Sequence, residues 1–198
     1  TGDPSETLYW ESYRVETSWK QSSNGTYIYG TNYINGNYND GSGYYKFRWG
    51  LKSPDDGDLG SSAVGKGTKA YQFIKKTVTD VETYLFGDGF TENTSLADIN
   101  QYINLDSFIE YWLVYEIATN QEPNNPGSCY MHYYNGDGKL YMGPVWDFDY
   151  GSFLTSAQFD DGLYADKDKH FQLANALWYC RLLQNKNVQE YVKQKWPA

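Results

Sequence analysis

The sequence predicts an α+β domain in which short β segments come first and helices dominate the C-terminal part. Three observations carry that expectation. Residues 1–45 combine Tyr with turn-forming Asn, Gly and Ser. Two later stretches repeat apolar residues at three- and four-residue spacing. Beyond them lies an alternating pattern centred on Asn135-Gly136-Asp137-Gly138, the signature of a β-hairpin. At 198 residues, 40% hydrophobic and 21% charged, the chain is long and apolar enough to bury one core. It reads as a single domain, with 1–45 a Tyr/Asn/Gly-rich β segment and 46–198 the main body.

Taken in order, Tyr27-Ile28-Tyr29, Tyr33-Ile34 and Tyr44 to Trp49 are strand-like and separated by turn residues. Pro54 to Gly67 is a loop whose Asp55, Asp56 and Asp58 lack the alternating ligands and closing Glu of a calcium loop, so they read as solvated. A helix follows from Thr68 to Phe86, with Ala70, Phe73, Ile74, Val78, Val81 and Leu85 on one side and Gly87 as its stop. The next helix, Leu105 to Asn120, carries Phe108, Ile109, Trp112, Leu113 and Ile117 over much of its surface. It is expected to be the central buried helix, capped by Asn104 or Asp106. A loop from Gln121 to Gly127 leads into hairpin strands Cys129 to Tyr134 and Lys139 to Trp146. Residues 151–170 read as irregular, and helices from Gln172 to Gln184 and from Asn187 to Trp196 close the chain.

Composition removes several classes of function. A net charge of −9, from 16 basic and 25 acidic side chains, repels polyphosphate and argues against nucleic acid as a partner. No apolar run reaches the ~18 residues of a membrane-spanning helix. The opening Thr1-Gly2-Asp3-Pro4 reads as a linker remnant rather than a signal peptide. Cys129 and Cys180 are too few for a disulfide framework, and their spacing leaves a single bridge or two buried thiols open. Tyr, at 21 residues, and Trp, at 7, suit exposed recognition surfaces, so an extracellular or cell-surface setting is expected. Asn24-Gly25-Thr26 and Asn93-Thr94-Ser95 match the glycosylation sequon. His132 reads as sheet packing and His170 as exposed, and no Ser-His-Asp or Cys-His pairing supports covalent hydrolysis.

The residues that point to chemistry lie around the hairpin. Asp147 and Asp149 stand two apart after its second strand; if that strand continued through them, both carboxylates would share one face about 7 Å apart. Paired carboxylates can hold Mg²⁺, which takes one or two of them plus phosphate oxygens. The Asp-x-Asp spacing alone also fits a capped turn, a calcium loop or a glycosyltransferase. Context narrows it. Glu116 and Asn120 fall on one helix face, Glu122 follows, and the hairpin returns Asp147 to the same end of the helix.

The stretch Ser107 to Asn120 resembles the helix of the CotH family, the spore-coat kinases and their secreted relatives. Ser128-Cys129-Tyr130-Met131-His132-Tyr133-Tyr134, Gly138-Lys139-Leu140-Tyr141 and Gly143-Pro144-Val145-Trp146-Asp147-Phe148-Asp149 are similar to it in order and spacing. Leu177 to Leu183 and Val192 to Trp196 resemble its later helices, so the similarity runs from about Phe47 to Trp196. The resemblance implies an atypical protein-kinase-like fold with ATP and Mg²⁺ as cofactors and a Ser/Thr-rich protein as substrate. It makes Asp147 the metal-binding Asp, with Asp149 as second ligand or orienter. Glu122, within Asn120-Gln121-Glu122, takes the place of the catalytic-loop carboxylate that orients the incoming hydroxyl. Asn120 and Ser128 are the implied cofactor contacts; Lys46, Arg48 and Lys52 are candidates for a phosphate contact, each reading otherwise as an ordinary solvated strand or loop charge. Two departures stand out: Glu122 replaces an Asp, and Gly127 followed by Ser128 replaces an Asn that assists the metal. The family's upstream basic, β-rich segment is not recognisable in the sequence.

Two other functions compete. A non-catalytic surface module would bind a glycan or protein through the Tyr-rich N-terminal region. A metal-dependent glycosyltransferase fits Asp-x-Asp but lacks the preceding βαβ nucleotide-binding pattern.

Overall fold

The computed structural model describes residues 11–18, 27–29, 33–34, 44–45, 48–54, 67–120, 122–124, 128–149, 152–153 and 177–196. Alternation builds its first strand, β1 (Ser12–Ser18): Tyr13, Val15 and Thr17 are buried, while Arg14 and Glu16 face outward. With β2 (Tyr27–Tyr29), β5 (Arg48–Ser53) and the hairpin strands β6 (Tyr130–Tyr134) and β7 (Lys139–Met142), it forms a five-stranded sheet ordered β2-β5-β1-β6-β7. All four pairings are antiparallel. β3 (Tyr33–Ile34) and β4 (Tyr44–Tyr45) pair separately. The α+β architecture expected from the sequence is observed, and β1 is the strand that joins the N-terminal strands to the hairpin.

Helix α1 (Lys69–Phe86) buries Ala70, Ile74, Val78, Val81 and Leu85, the stripe its periodicity predicts. Thr68 caps it, accepting a hydrogen bond from the Tyr71 amide at 3.2 Å. After the short α2 (Leu96–Ile99), Asn104 caps α3 (Leu105–Ile117) by accepting from the Ser107 amide at 2.9 Å. Phe108, Ile109 and Trp112 of α3 are fully buried, which makes it the central helix expected. Ile117 departs from that expectation at 55% exposed, because it lies on the last turn, where the chain leaves the core. Ser107 ties α3 to the sheet, its hydroxyl accepting from the Met142 amide at 3.1 Å.

Two C-terminal helices close the core, α4 (Tyr179–Leu182) and α5 (Lys186–Lys195). Trp178 stacks on Phe108, meets Trp49 edge-on, and donates its indole N–H to the buried Glu82 carboxylate at 3.1 Å. Asn185, fully buried, accepts from the Val188 amide and donates to the carbonyls of Thr91 and Thr94. Helix α4 is shorter than the stretch predicted, whose start at Gln172 lies outside the described residues. The loop aspartates Asp55, Asp56 and Asp58, Lys46, residues 154–170 and the N-linked sequon at Asn24 lie outside them as well. Cys129 and Cys180 are buried free thiols, which settles the alternative the spacing leaves open. Burial pushes both up to about 12.

Candidate active site

Helix α3 stops at Ile117, three residues earlier than predicted. Thr119 takes a left-handed φ of 50° and turns the chain, so Asn120 leaves the helix face it was expected to share with Glu116. Asn120 is instead buried beneath the turn. Its Oδ1 accepts from the Glu122 amide at 2.9 Å and its Nδ2 donates to Ser152 Oγ at 2.7 Å. Glu122 opens the 3₁₀ turn Glu122–Asn124. Its carboxyl is raised from 4.5 to about 7, first by burial and then by the charges of Asp147 and Asp149.

The second hairpin strand also ends early, at Met142 rather than Trp146. Gly143 takes φ 112°, and the chain leaves the ladder. The one-face alternation that would align Asp147 with Asp149 therefore does not apply. Tyr115 holds the segment in its place. Its hydroxyl donates to the Trp146 carbonyl at 2.9 Å and accepts from the Trp146 amide at 3.2 Å, and its ring packs on Phe148. This fixes the residue before Asp147, whose own φ of 64° turns the backbone again. Ser128, also left-handed at φ 52°, donates its hydroxyl to Asp147 Oδ2 at 3.0 Å.

Among the described residues, the non-glycine residues with positive φ are Thr119, Ser128, Asp147, Phe153 and Leu177. The first four gather at this site, and Phe153 is tied to it by its amide, which donates to the Ala118 carbonyl at 2.7 Å. Such conformations cost about 1–3 kcal/mol each and cluster where geometry serves function.

The outward face of the sheet reaches the same place. Tyr130 of β6 sits edge-on to Trp146 at 6.3 Å, and Asp147 is among the charges that raise its hydroxyl to about 12, behind burial and Glu16. Across the ladder Tyr130 is registered with Glu16. Glu16 pairs with Lys52 at 2.7 Å, and the Arg14 guanidinium lies over the Tyr130 ring. The structure thus brings together Glu122, Asp147, Asp149, Ser128 and Asn120, and sets Lys52 on the adjoining sheet face. Sequence reasoning missed Tyr115, Arg14, Glu16, Tyr130 and Ser152. For Arg14 and Glu16 the signal was present, in the strict alternation of Tyr13 to Thr17.

Among the described residues, no group of three or more His, Cys, Asp or Glu converges tightly enough to hold a metal ion by itself. The residues nevertheless fit Mg²⁺ presented with a nucleotide, because that ion takes only one or two carboxylates and completes its shell with phosphate and water. Asp147 and Asp149 would offer carboxylate oxygens, the donor type a hard cation takes.

A mixed fold with an acidic, strained site between a helix end and a hairpin defines the class, and comparison supplies the family. The chain belongs to the CotH kinase protein family, whose model matches residues 8–198. That match starts well before Phe47, where similarity becomes readable by eye. No curated protein and no solved structure matches the chain.

Proposed function

We propose that this chain is a Mg²⁺-dependent phosphotransfer domain with an atypical protein-kinase-like fold, acting on Ser or Thr hydroxyls of a partner protein at the cell surface or outside the cell. The observation that carries this reading is the gathering of Glu122, Asp147 and Asp149, with Ser128 bonded to Asp147, in a chain of the CotH kinase family. The order of parts supports it: the Glu122 turn precedes Asp147 in the chain, as the catalytic loop precedes the metal-binding Asp in protein kinases.

In this reading Asp147 and Asp149 hold the cation, whose charge offsets that of the phosphates. Glu122 orients the incoming hydroxyl and takes up its proton, for which a carboxyl raised to about 7 is suited. Ser128 fixes the Asp147 carboxylate, and Asn120 fixes the Glu122 backbone. Lys52, paired with Glu16, would supply the basic contact to the phosphates. Positioning and charge supply most of the catalysis in phosphoryl transfer, which explains a site braced from several elements.

The test is transfer of labelled γ-phosphate from ATP to a Ser-rich acceptor peptide. Asp147→Asn is the informative variant, because Asn tolerates a left-handed backbone and preserves the fold. It is expected to reduce transfer to background, and Glu122→Gln to reduce it about a hundredfold. Transfer that survives Asp147→Asn contradicts the site assignment. A wild-type chain that binds no ATP returns the reading to a non-catalytic glycan- or protein-binding module.

A further inference from the structure

A second site lies further along the same outward sheet face, and the proposed phosphotransfer does not use it. Glu11, Ser12, His132, Tyr134 and Tyr141 line a cleft of about 390 Å³. Its register is fixed by the ladder: Ser12 faces Tyr134 across β1 and β6, and His132 faces Tyr141 across β6 and β7.

The rings of this cleft are held in place. His132 stacks on Tyr141, with ring centroids 5.1 Å apart and planes 13° from parallel. The Tyr141 hydroxyl donates to the Asp137 carboxylate. Tyr134 lies across the hairpin turn so closely that a Cβ on Gly136 would come within 2.4 Å of its ring, yet the side chain stays 38% exposed. An exposed tyrosine held flat by a turn glycine leaves an apolar face turned to solvent, at little entropic cost on binding. Glu11 is anchored by its carbonyl, which accepts from the Asn135 amide at 2.9 Å.

Charge decides the class of ligand. The carboxylates of Glu11 and Asp137 share this end of the sheet with two basic residues, Arg14, registered with His132, and Lys139, registered with Tyr134. Two carboxylates and two basic side chains border the cleft, so neither sign dominates and it favours neither a phosphate nor a basic peptide. Flat aromatic faces beside a carboxylate, a hydroxyl and an imidazole match a ring with apolar C–H faces and equatorial hydroxyls.

We propose that this cleft binds a neutral glycan, its pyranose rings stacked on Tyr134 and Tyr141 and its hydroxyls bonded to Glu11, Ser12 and His132. The site is separate from the carboxylate cluster and takes Glu11 and Ser12, not tyrosines, from residues 1–45, and it would hold a sugar chain beside the phosphotransfer site on one face.

Calorimetric titration of the full chain with cellohexaose, chitohexaose and mannohexaose tests this. Saturable binding to at least one probe is expected, weakened about tenfold or more by Tyr134→Ala and also by Glu11→Gln. Glu11→Gln removes no packed group, so it keeps the test open should Tyr134→Ala fail to fold. ATP binding in the presence of Mg²⁺ should be unchanged in both variants, so the two sites fail independently. No saturable binding to any probe overturns the proposal. So does binding that both variants leave intact, or a preference for a basic peptide over all three sugars.

Discussion

Asn185 and Asn120 are both almost completely buried, and they hold together two different kinds of structure. Asn185 starts α5 and spends its side chain on backbone partners, the Val188 amide and the Thr91 and Thr94 carbonyls. Everything it ties is apolar core or the turns that cover it. Asn120 bridges Ser152 to the backbone of Glu122, and around it Thr119, Ser128, Asp147 and Phe153 adopt left-handed backbones. One asparagine closes a relaxed core. The other maintains a strained loop that presents three carboxylates, a cost that makes sense where geometry is needed for chemistry.

Exchanging each asparagine separates the two roles most sharply. Asn185→Ala loses a helix cap and two buried hydrogen bonds to the Thr91 and Thr94 carbonyls, so it should cost about 3 kcal/mol, or roughly 6–12 °C in Tm. Asn120→Ala should cost less, about 1–2 kcal/mol, but reduce phosphotransfer about a hundredfold by releasing Glu122. Thermal melts and transfer rates of both variants check this; equal losses of activity at equal stability would erase the distinction.

The next effect concerns pH. The Glu122 carboxyl is raised to about 7 in the folded chain from an ordinary 4.5, so folding takes up a proton there. Stability from this group is complete below the ordinary value and is lost as pH rises through about 7. Glu122→Gln removes that dependence. Its Tm should fall less between pH 5 and 8 than that of the wild type, and at pH 8 it should be higher by roughly 2–4 °C. Parallel profiles would mean that neither burial nor the neighbouring Asp147 and Asp149 raise the Glu122 carboxyl.

The smallest effect tests the strain itself. Thr119 is β-branched, left-handed, and its hydroxyl is buried without a hydrogen-bond partner among the described residues. Thr119→Gly should therefore raise stability by about 1 kcal/mol, measured by urea denaturation. A loss of stability instead would show that the backbone there is not strained.

Much of this was legible in the sequence where the signal is local. The periodicity of α1, the burial of Phe108 and Trp112, the Asn104 cap and the turn at Asn135 to Gly138 all follow from neighbouring residues. What failed was where elements end. Helix α3 stops before Thr119, where Asn120 bonds the Ser152 hydroxyl 32 residues on, and β7 ends at Met142, beyond which Tyr115 captures the Trp146 backbone across 31 residues. The pairing of β1 with β6 is also long-range, and nothing in Tyr13 to Thr17 names its partner. The Asp147 segment was legible as a motif but not as geometry: it is an irregular turn pinned by a tyrosine.

The most direct measurement of the central claim is the affinity for ATP with and without Mg²⁺, by calorimetry, in the wild type and in Asp147→Asn. The wild type should bind at least about tenfold more tightly with the cation, and Asp147→Asn should lose that gain while melting as the wild type does. Equal affinities with and without Mg²⁺ in the wild type, or a gain that Asp147→Asn keeps, would contradict a metal-dependent nucleotide site at Asp147.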